Sequence, residues 1–158
     1  TDLILTYRNF GDVDLWGADL SFQFLATDRL SLTGSYAHVS EECFDFNEDG
    51  SCSSANDIAL NAPANTGSLG ARWDDRILGL PLEDRVRFSD GFPMNSGVYI
   101  GDIPSFSVLD ANVSYQLPWA PGASVTLTGT NLFDNVHRES IGAPEIGRLL
   151  MVRLAYEF

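Results

Sequence analysis

The sequence predicts an all-β protein, an antiparallel transmembrane β-barrel segment of about eight strands. First, segments of about ten residues alternate apolar and polar side chains, as strands with two different faces do. Second, the connections between these segments alternate between short and long. Third, no apolar run approaches the ~18 residues that a membrane helix requires. Only helices and closed barrels satisfy every backbone group in lipid, so a membrane location would require a barrel.

Eight strands follow in chain order, at residues 3–7, 12–26, 30–40, 68–73, 83–89, 106–117, 124–132 and 150–158. Each has one predominantly apolar face. In the second strand that face carries Trp16, Ala18, Leu20, Phe22 and Phe24. Aromatic residues that would form interfacial girdles are Trp16, Tyr36, Trp73, Tyr115, Trp119 and Tyr156. Girdles at both water interfaces are typical of transmembrane barrels.

The connections fall into two sets. Short ones lie at residues 27–29, 78–82 and 118–122, and long polar ones at 41–65, 90–104 and 133–144. Pro, Asn and Gly residues predict irregular structure in the second long connection. Transmembrane barrels place short turns on one side of the membrane and long loops on the other. A soluble β-sandwich has no reason to alternate so regularly.

The last strand gives the clearest alternation. One face carries Leu150, Val152, Leu154, Tyr156 and Phe158, and the other carries Met151, Arg153, Ala155 and Glu157. The first face is wholly apolar, and both charges lie on the second. This pattern predicts that one face meets lipid and the other a wet lumen.

The charge balance excludes nucleic acid as a partner. The nine basic residues are all Arg and stand against 22 acids, for a net charge of −13. Binding to nucleic acid requires a basic face that neutralises phosphates. The acidic long connections also disfavour a strongly anionic ligand.

The first long connection holds the only two cysteines, Cys43 and Cys52. At an oxidising cell surface we predict that they form a disulfide, with two free thiols as the alternative. Closing so short a loop would contribute about 2–3 kcal/mol in the chain-entropy description.

Between the cysteines lies the start of a calcium-loop pattern. Asp45, Asn47 and Asp49 occupy its first, third and fifth positions, and a glycine follows at the sixth. The twelfth position, where a bidentate Glu is expected, is Asn56, with Asp57 one residue beyond. The sequence thus offers a Ca²⁺ site in loop 43–57, formed by Asp45, Asn47, Asp49 and Asp57, against the alternative of a solvated acidic loop. No other cofactor is expected.

No catalytic constellation is apparent, and we predict that the protein is not an enzyme. His38 and His137 are isolated in sequence and are interpreted as solvated polar residues. No nucleophile elbow or phosphate-binding glycine loop occurs. His137, Arg138, Glu139 and residues 96–99 lie in outer loops where they could contact a ligand.

Five motifs in order resemble TonB-dependent outer-membrane receptors. They are residues 7–21, where an Asn-x-Gly step precedes a Gly-x-acid-Leu segment, then 28–37, the Asn-x-Pro of 61–63, the Asn-Leu-Phe-Asp of 131–135, and Gly147-Arg148. The resemblance covers essentially the whole chain. Each motif is loose, and their order and spacing make the set specific.

The resemblance implies a barrel of about 22 strands with a plugged lumen. Residues 1–158 would be its C-terminal part, and the plug domain is not in this chain. Such receptors lie in the outer membrane of Gram-negative bacteria and import siderophores, haem, cobalamin or oligosaccharides. Implied partners are outer-membrane lipid, the nutrient ligand, and the TonB complex acting through the missing N-terminal part. Phe158 and its alternate apolar partners resemble the signal read by the barrel-assembly machinery.

Three alternatives remain at this stage: an autonomous eight-stranded outer-membrane barrel, a soluble β-sandwich binding module and a barrel enzyme. Eight strands can close around an interior that side chains just fill. The predicted inward positions are Ser21, Gln23, Arg85, Arg87, Arg153 and Glu157. These polar, mostly unbulky residues suit a wide wet lumen or a plug interface better.

Overall fold

The computed structural model describes residues 12–45, 57–75 and 80–157, and its regular elements are all β-strands. In chain order they are β1 (Gly17–Thr27), β2 (Leu30–Val39), β3 (Cys43–Phe44), β4 (Ile58–Ala59), β5 (Asn65–Asp75), β6 (Leu80–Ser89), β7 (Phe92–Asn95), β8 (Ile100–Ile103), β9 (Phe106–Gln116), β10 (Ala123–Thr130) and β11 (Leu149–Tyr156). Within the described residues, no helix has the length and hydropathy needed to cross a bilayer.

Seven long strands form one antiparallel sheet in the order β1-β2-β5-β6-β9-β10-β11. Consecutive long strands are always neighbours, so the chain runs up and down along the sheet. The strands have 8 to 11 residues, which is about the length that a tilted strand needs to cross a bilayer. Within the described residues β1 and β11 do not pair with each other. The sheet formed by the described residues is therefore open, as expected for a segment of a larger barrel.

The connections lie at two ends of the sheet. At one end, β1 joins β2 through a turn in which Thr27 Oγ1 accepts hydrogen bonds from Arg29 N and Leu30 N. The turn between β9 and β10 requires Gly122, whose φ is +86°. At the other end are three long loops, which we number 1 (residues 40–64), 2 (90–105) and 3 (131–148). The short β3–β4 ribbon lies in loop 1 and the β7–β8 ribbon in loop 2.

One face of the sheet is apolar and uncovered. In β11, Leu150, Val152, Leu154 and Tyr156 are 65–76% exposed, and their neighbours on the same face in β10 include Leu127. Among the described residues the only buried hydrophobic side chains are Phe92, Ile103 and Val108. A soluble domain would bury its large apolar side chains in a core. This face has instead the composition of a surface that meets lipid.

Aromatic side chains flank this apolar face at both ends. Trp16 and Tyr36 lie toward the loop end of β1 and β2, whereas Trp73, Trp119 and Tyr156 lie toward the turn end. All five are exposed. The arrangement matches two interfacial girdles separated by an apolar band.

The structure corrects two details of the sequence prediction and leaves the first predicted strand untested. The predicted strand at residues 3–7 lies outside the described residues, and the next strand begins at Gly17 instead of residue 12. Loop 2, predicted to be irregular, contains the β7–β8 ribbon. Pro93 is tolerated there because a two-stranded ribbon has outer edges where no N–H donor is required.

Candidate functional site

The second face of the sheet is polar, and it faces the lumen if the apolar face meets lipid. Hydroxyl side chains pair across its strands, with Ser35 Oγ 2.8 Å from Ser68 Oγ and Ser114 Oγ 2.9 Å from Thr126 Oγ1. These side chains are short, so they leave space above the sheet. Hydrogen-bonding surface of this kind suits contact with water, a plug or a polar ligand.

A cavity of about 630 Å³ lies on this face at its loop end, which we call the wall pocket. Its lining includes hydroxyls from three neighbouring strands, three charged side chains and an aromatic ring: Ser21, Ser35, Ser68, Asp19, Arg87, Glu139 and Phe106. The pocket is open on one side and is bounded by loops 1, 2 and 3. Its volume falls within the range of small-molecule sites.

Arg87 links the pocket to the strands behind it. Its Nε donates to Asp110 Oδ2 on the neighbouring strand β9 at 3.2 Å. Its Nη1 lies 3.8 Å from Glu139 Oε1 of loop 3. The guanidinium is therefore held mainly by Asp110 and reaches Glu139 only at long range. No sequence motif marks Asp110, which is a lone acid on the polar face of a strand.

The prediction that His137 is a solvated residue is wrong, because the side chain is buried. The residue is 6% exposed, and its ring stacks on Phe106 with centroids 4.2 Å apart. Nδ1 donates to the carbonyl of Asn135 at 2.7 Å. Nε2 lies 3.5 Å from Glu139 Oε1 but has no hydrogen-bond partner. His38, the other histidine, is half-buried and bonds to Asn65 Oδ1 at 2.9 Å.

A tight turn at the start of loop 3 positions His137. Asn131 is buried and adopts φ +51°, a conformation that Asn tolerates better than most residues. Its side chain bonds both ways to the backbone of Asn135, accepting from N and donating to O at 2.9 Å each. Its own N donates to Asp110 Oδ1 at 2.9 Å. The same aspartate thus holds Arg87 and the base of loop 3.

The three loops also bind one another. Asn61 of loop 1 pairs with the backbone of Asn95 in loop 2, at 3.0 Å through Nδ2 and 2.7 Å through Oδ1. Met94 Sδ accepts the backbone N–H of Ile141 in loop 3 at 3.3 Å. Arg138 pairs with Glu145 at 3.1 Å within loop 3, away from the wall pocket. Residues 96–99 close the tip of the β7–β8 ribbon, where Ser96 N donates to Tyr99 O at 2.9 Å.

The predicted disulfide and calcium site lie only partly within the described residues. Cys43 begins β3, whereas Cys52 is outside the described ranges. Asp45 and Asp57 border the gap that contains Asn47 and Asp49, and Asp57 is buried. The described part of the chain contains no cluster of three or more His, Cys, Asp or Glu residues that could hold a metal. Both the disulfide and the calcium site stay predictions.

Most of the chain matches a known protein family. A family model described as TonB dependent receptor-like, beta-barrel, matches residues 1–132. No curated protein matches the sequence. Among solved structures, the chain is similar to the siderophore receptor PiuA from Acinetobacter baumannii at 17% identity, with a TM-score of 0.66 over 90% of this chain and 21% of that one.

Two further structures are similar at comparable levels. One is the FpvAI–pyocin S2 complex, with 15% identity and a TM-score of 0.67 over 91% of this chain and 19% of the matched one. The other is P. aeruginosa FpvA bound to heterologous pyoverdines, with 16% identity and a TM-score of 0.66 over the same shares, 91% and 19%. At these identities the likeness concerns the fold. The chain spans about a fifth of the length of each matched structure.

Proposed function

Because the chain belongs to the TonB-dependent receptor family through its β-barrel domain, we propose that it forms barrel wall and outer loops of a nutrient receptor. The family comprises outer-membrane receptors and transporters of Gram-negative bacteria, not enzymes. In this proposal the receptor binds a scarce nutrient at the cell surface and imports it with energy from the TonB complex. The ligand would be of the siderophore, haem, cobalamin or oligosaccharide class.

The observation that carries the proposal is the position of the wall pocket. It lies on the polar face of the sheet, at the end where loops 1, 2 and 3 interlock. A ligand entering from the loop side would meet this pocket before reaching the rest of the wall. Two of the similar structures are described as a siderophore receptor and a pyoverdine complex. Ferric siderophores are therefore the first ligands to test.

Complementation of a strain lacking the full-length receptor tests the proposal. Wild-type receptor should restore growth on one limiting source among ferric siderophores, haem, cobalamin and oligosaccharides, and only with an intact TonB complex. Ser68→Trp, which fills the wall pocket, should reduce uptake at unchanged membrane levels. The matched control is Ser114→Trp, on the same face but outside the pocket lining. Growth independent of the receptor on every source would reject the proposal.

The alternative of an autonomous eight-stranded barrel predicts a different native protein. The sheet of the described residues is open, which gives no support for closure by this chain alone. We expect the native polypeptide recovered from outer membranes to have an intact mass several times the 17.3 kDa of this chain. A mass close to that of the chain, with heat-modifiable migration on gels, would instead identify a complete small barrel.

We also propose that the end of the chain directs assembly. Leu150, Val152, Leu154 and Tyr156 lie on one exposed face of β11. Phe158, the next apolar residue of the sequence alternation, lies outside the described residues. Deleting Phe158 is expected to lower outer-membrane levels of the full-length receptor severalfold, measured by immunoblotting of membrane fractions. Glu157→Gln, which changes the opposite face, serves as the control. Wild-type levels after the deletion would exclude the assembly role.

A further inference from the structure

We propose that the wall pocket binds a positively charged group of the ligand through Glu139, and that proton uptake by His137 weakens this binding. The inference rests on the proposed function in treating the wall pocket as ligand-facing. It adds a class of ligand chemistry and a dependence on pH, both carried by the geometry around Glu139.

The charges that line the wall pocket favour a cation. Asp19 and Glu139 line it together with one basic residue, Arg87. Because Arg87 is committed to Asp110 at 3.2 Å, it does not neutralise both pocket carboxylates. The chain as a whole carries a net charge of −13, which attracts cations to the protein.

Glu139 retains capacity to accept a further partner. Its side chain is 47% exposed, and neither basic residue near it makes a short contact, since Oε1 lies 3.8 Å from Arg87 Nη1 and 3.5 Å from His137 Nε2. The rings of Phe92 and Phe106 line the same pocket. They add apolar contact surface to the pocket that holds the carboxylate.

In this proposal His137 makes ligand binding depend on pH. Because Nδ1 donates to the carbonyl of Asn135, the neutral ring presents a lone pair at Nε2 to the carboxylate of Glu139. Two acceptors then face each other, which accounts for the buried Nε2 without a hydrogen bond. A proton on Nε2 would convert this contact into a charge-assisted hydrogen bond. Glu139 would turn toward His137 and away from the ligand.

The charged groups around His137 are few. Glu139 belongs to the same loop, Arg87 approaches from β6, and Asp110 lies behind Arg87 on β9. Phe106 of β9 covers the ring face, and Arg138 is directed to Glu145. Glu139 is thus the acceptor that the protonated ring would reach. Protonated His137 and a cationic ligand compete for the carboxylate of Glu139. Ligand affinity must therefore fall as the pH falls.

The test uses the purified full-length receptor and benzyltrimethylammonium, a probe with a permanent charge and an aromatic ring. Its dissociation constant is measured by titration with saturation-transfer NMR at about pH 7.5 and about pH 5.0, which bracket the range where histidine changes charge. We expect wild-type binding to weaken about fivefold at the lower pH. This change in affinity corresponds to the upper end of the free energies measured for exposed ion pairs. His137→Phe, which keeps a ring against Phe106, should bind equally at both values.

Two variants complete the experiment. Glu139→Gln should lose probe binding at both pH values, whereas Glu83→Gln, on the polar face of β6 but outside the pocket lining, should behave as wild type. Unchanged binding by Glu139→Gln would overturn the ligand assignment. An undiminished pH effect in His137→Phe would overturn the role of His137. Either failure would leave TonB-dependent uptake intact in the complementation assay, so the two proposals fail separately.

Discussion

Val152→Arg is expected to destabilise the folded barrel by about 2–4 kcal/mol, the cost of an arginine on the lipid face near the bilayer midplane. Val152 lies in the middle of β11, opposite Leu127, and is 68% exposed on the apolar face. The register places one acid, Asp84, on this face, but β9 and β10 separate its strand from β11. In lipid an arginine at position 152 therefore has neither water nor a charged partner within reach among the described residues. Urea titration of the full-length receptor in lipid vesicles, followed by heat-modifiable gel migration, measures the change.

The adjacent residue provides the matched control. Met151 pairs with Thr128 on the polar face of the same strand, two residues from Arg153. Met151→Arg should therefore cost much less than Val152→Arg, although the two substitutions introduce the same side chain. Equal destabilisation by both variants would contradict the assignment of the two faces.

The long strands were predictable because each has one face in a single environment. In β11, β1 and β9 the apolar residues recur at every second position, and a shift of one residue would turn them all to the wrong face. The register of the sheet follows from this alternation together with the short turns. The family, too, could be inferred from motifs in the sequence, and the match over residues 1–132 confirms it.

The loops were less predictable because their structure depends on distant partners. Pro93 and the glycines of loop 2 indicated irregular chain, yet the β7–β8 ribbon forms there. Contacts with the other two loops support it, through Asn61 and Asn95 on one side and Met94 and Ile141 on the other. No local pattern encodes such pairs, since they join residues 34 and 47 positions apart.

The wall pocket, too, was predictable in its strand residues and less so in its loop residues. Alternation placed Ser21 and Arg87 on the inward face, and the loop position of Glu139 marked it as a residue that could contact a ligand. The burial of His137 could not be inferred, because it depends on the ring of Phe106 in another strand and on the carbonyl of Asn135. Burial of a polar side chain is decided by what packs over it, and sequence spacing does not report that.

The turn that holds His137 gives the second large expected effect. Asn131→Ala should destabilise the folded receptor by about 2–3 kcal/mol, from two lost hydrogen bonds at roughly 1 kcal/mol each and left-handed backbone strain of about 1 kcal/mol. Asn131 is 3% exposed, has φ +51° and bonds to both backbone groups of Asn135. The Asn135 carbonyl in turn accepts the hydrogen bond from His137 Nδ1. The thermal midpoint of the heat-modifiable transition measures the loss.

Asn131→Gly separates the two causes, because glycine tolerates the positive φ but lacks the side-chain bonds. It should recover about 1 kcal/mol relative to Asn131→Ala. Both variants should also blunt the pH dependence of probe binding, since His137 loses the fixed carbonyl that sets its ring orientation. If both melt like wild type, water must replace the two Asn135 contacts at no net cost, and Asn131 would not be what holds the base of loop 3.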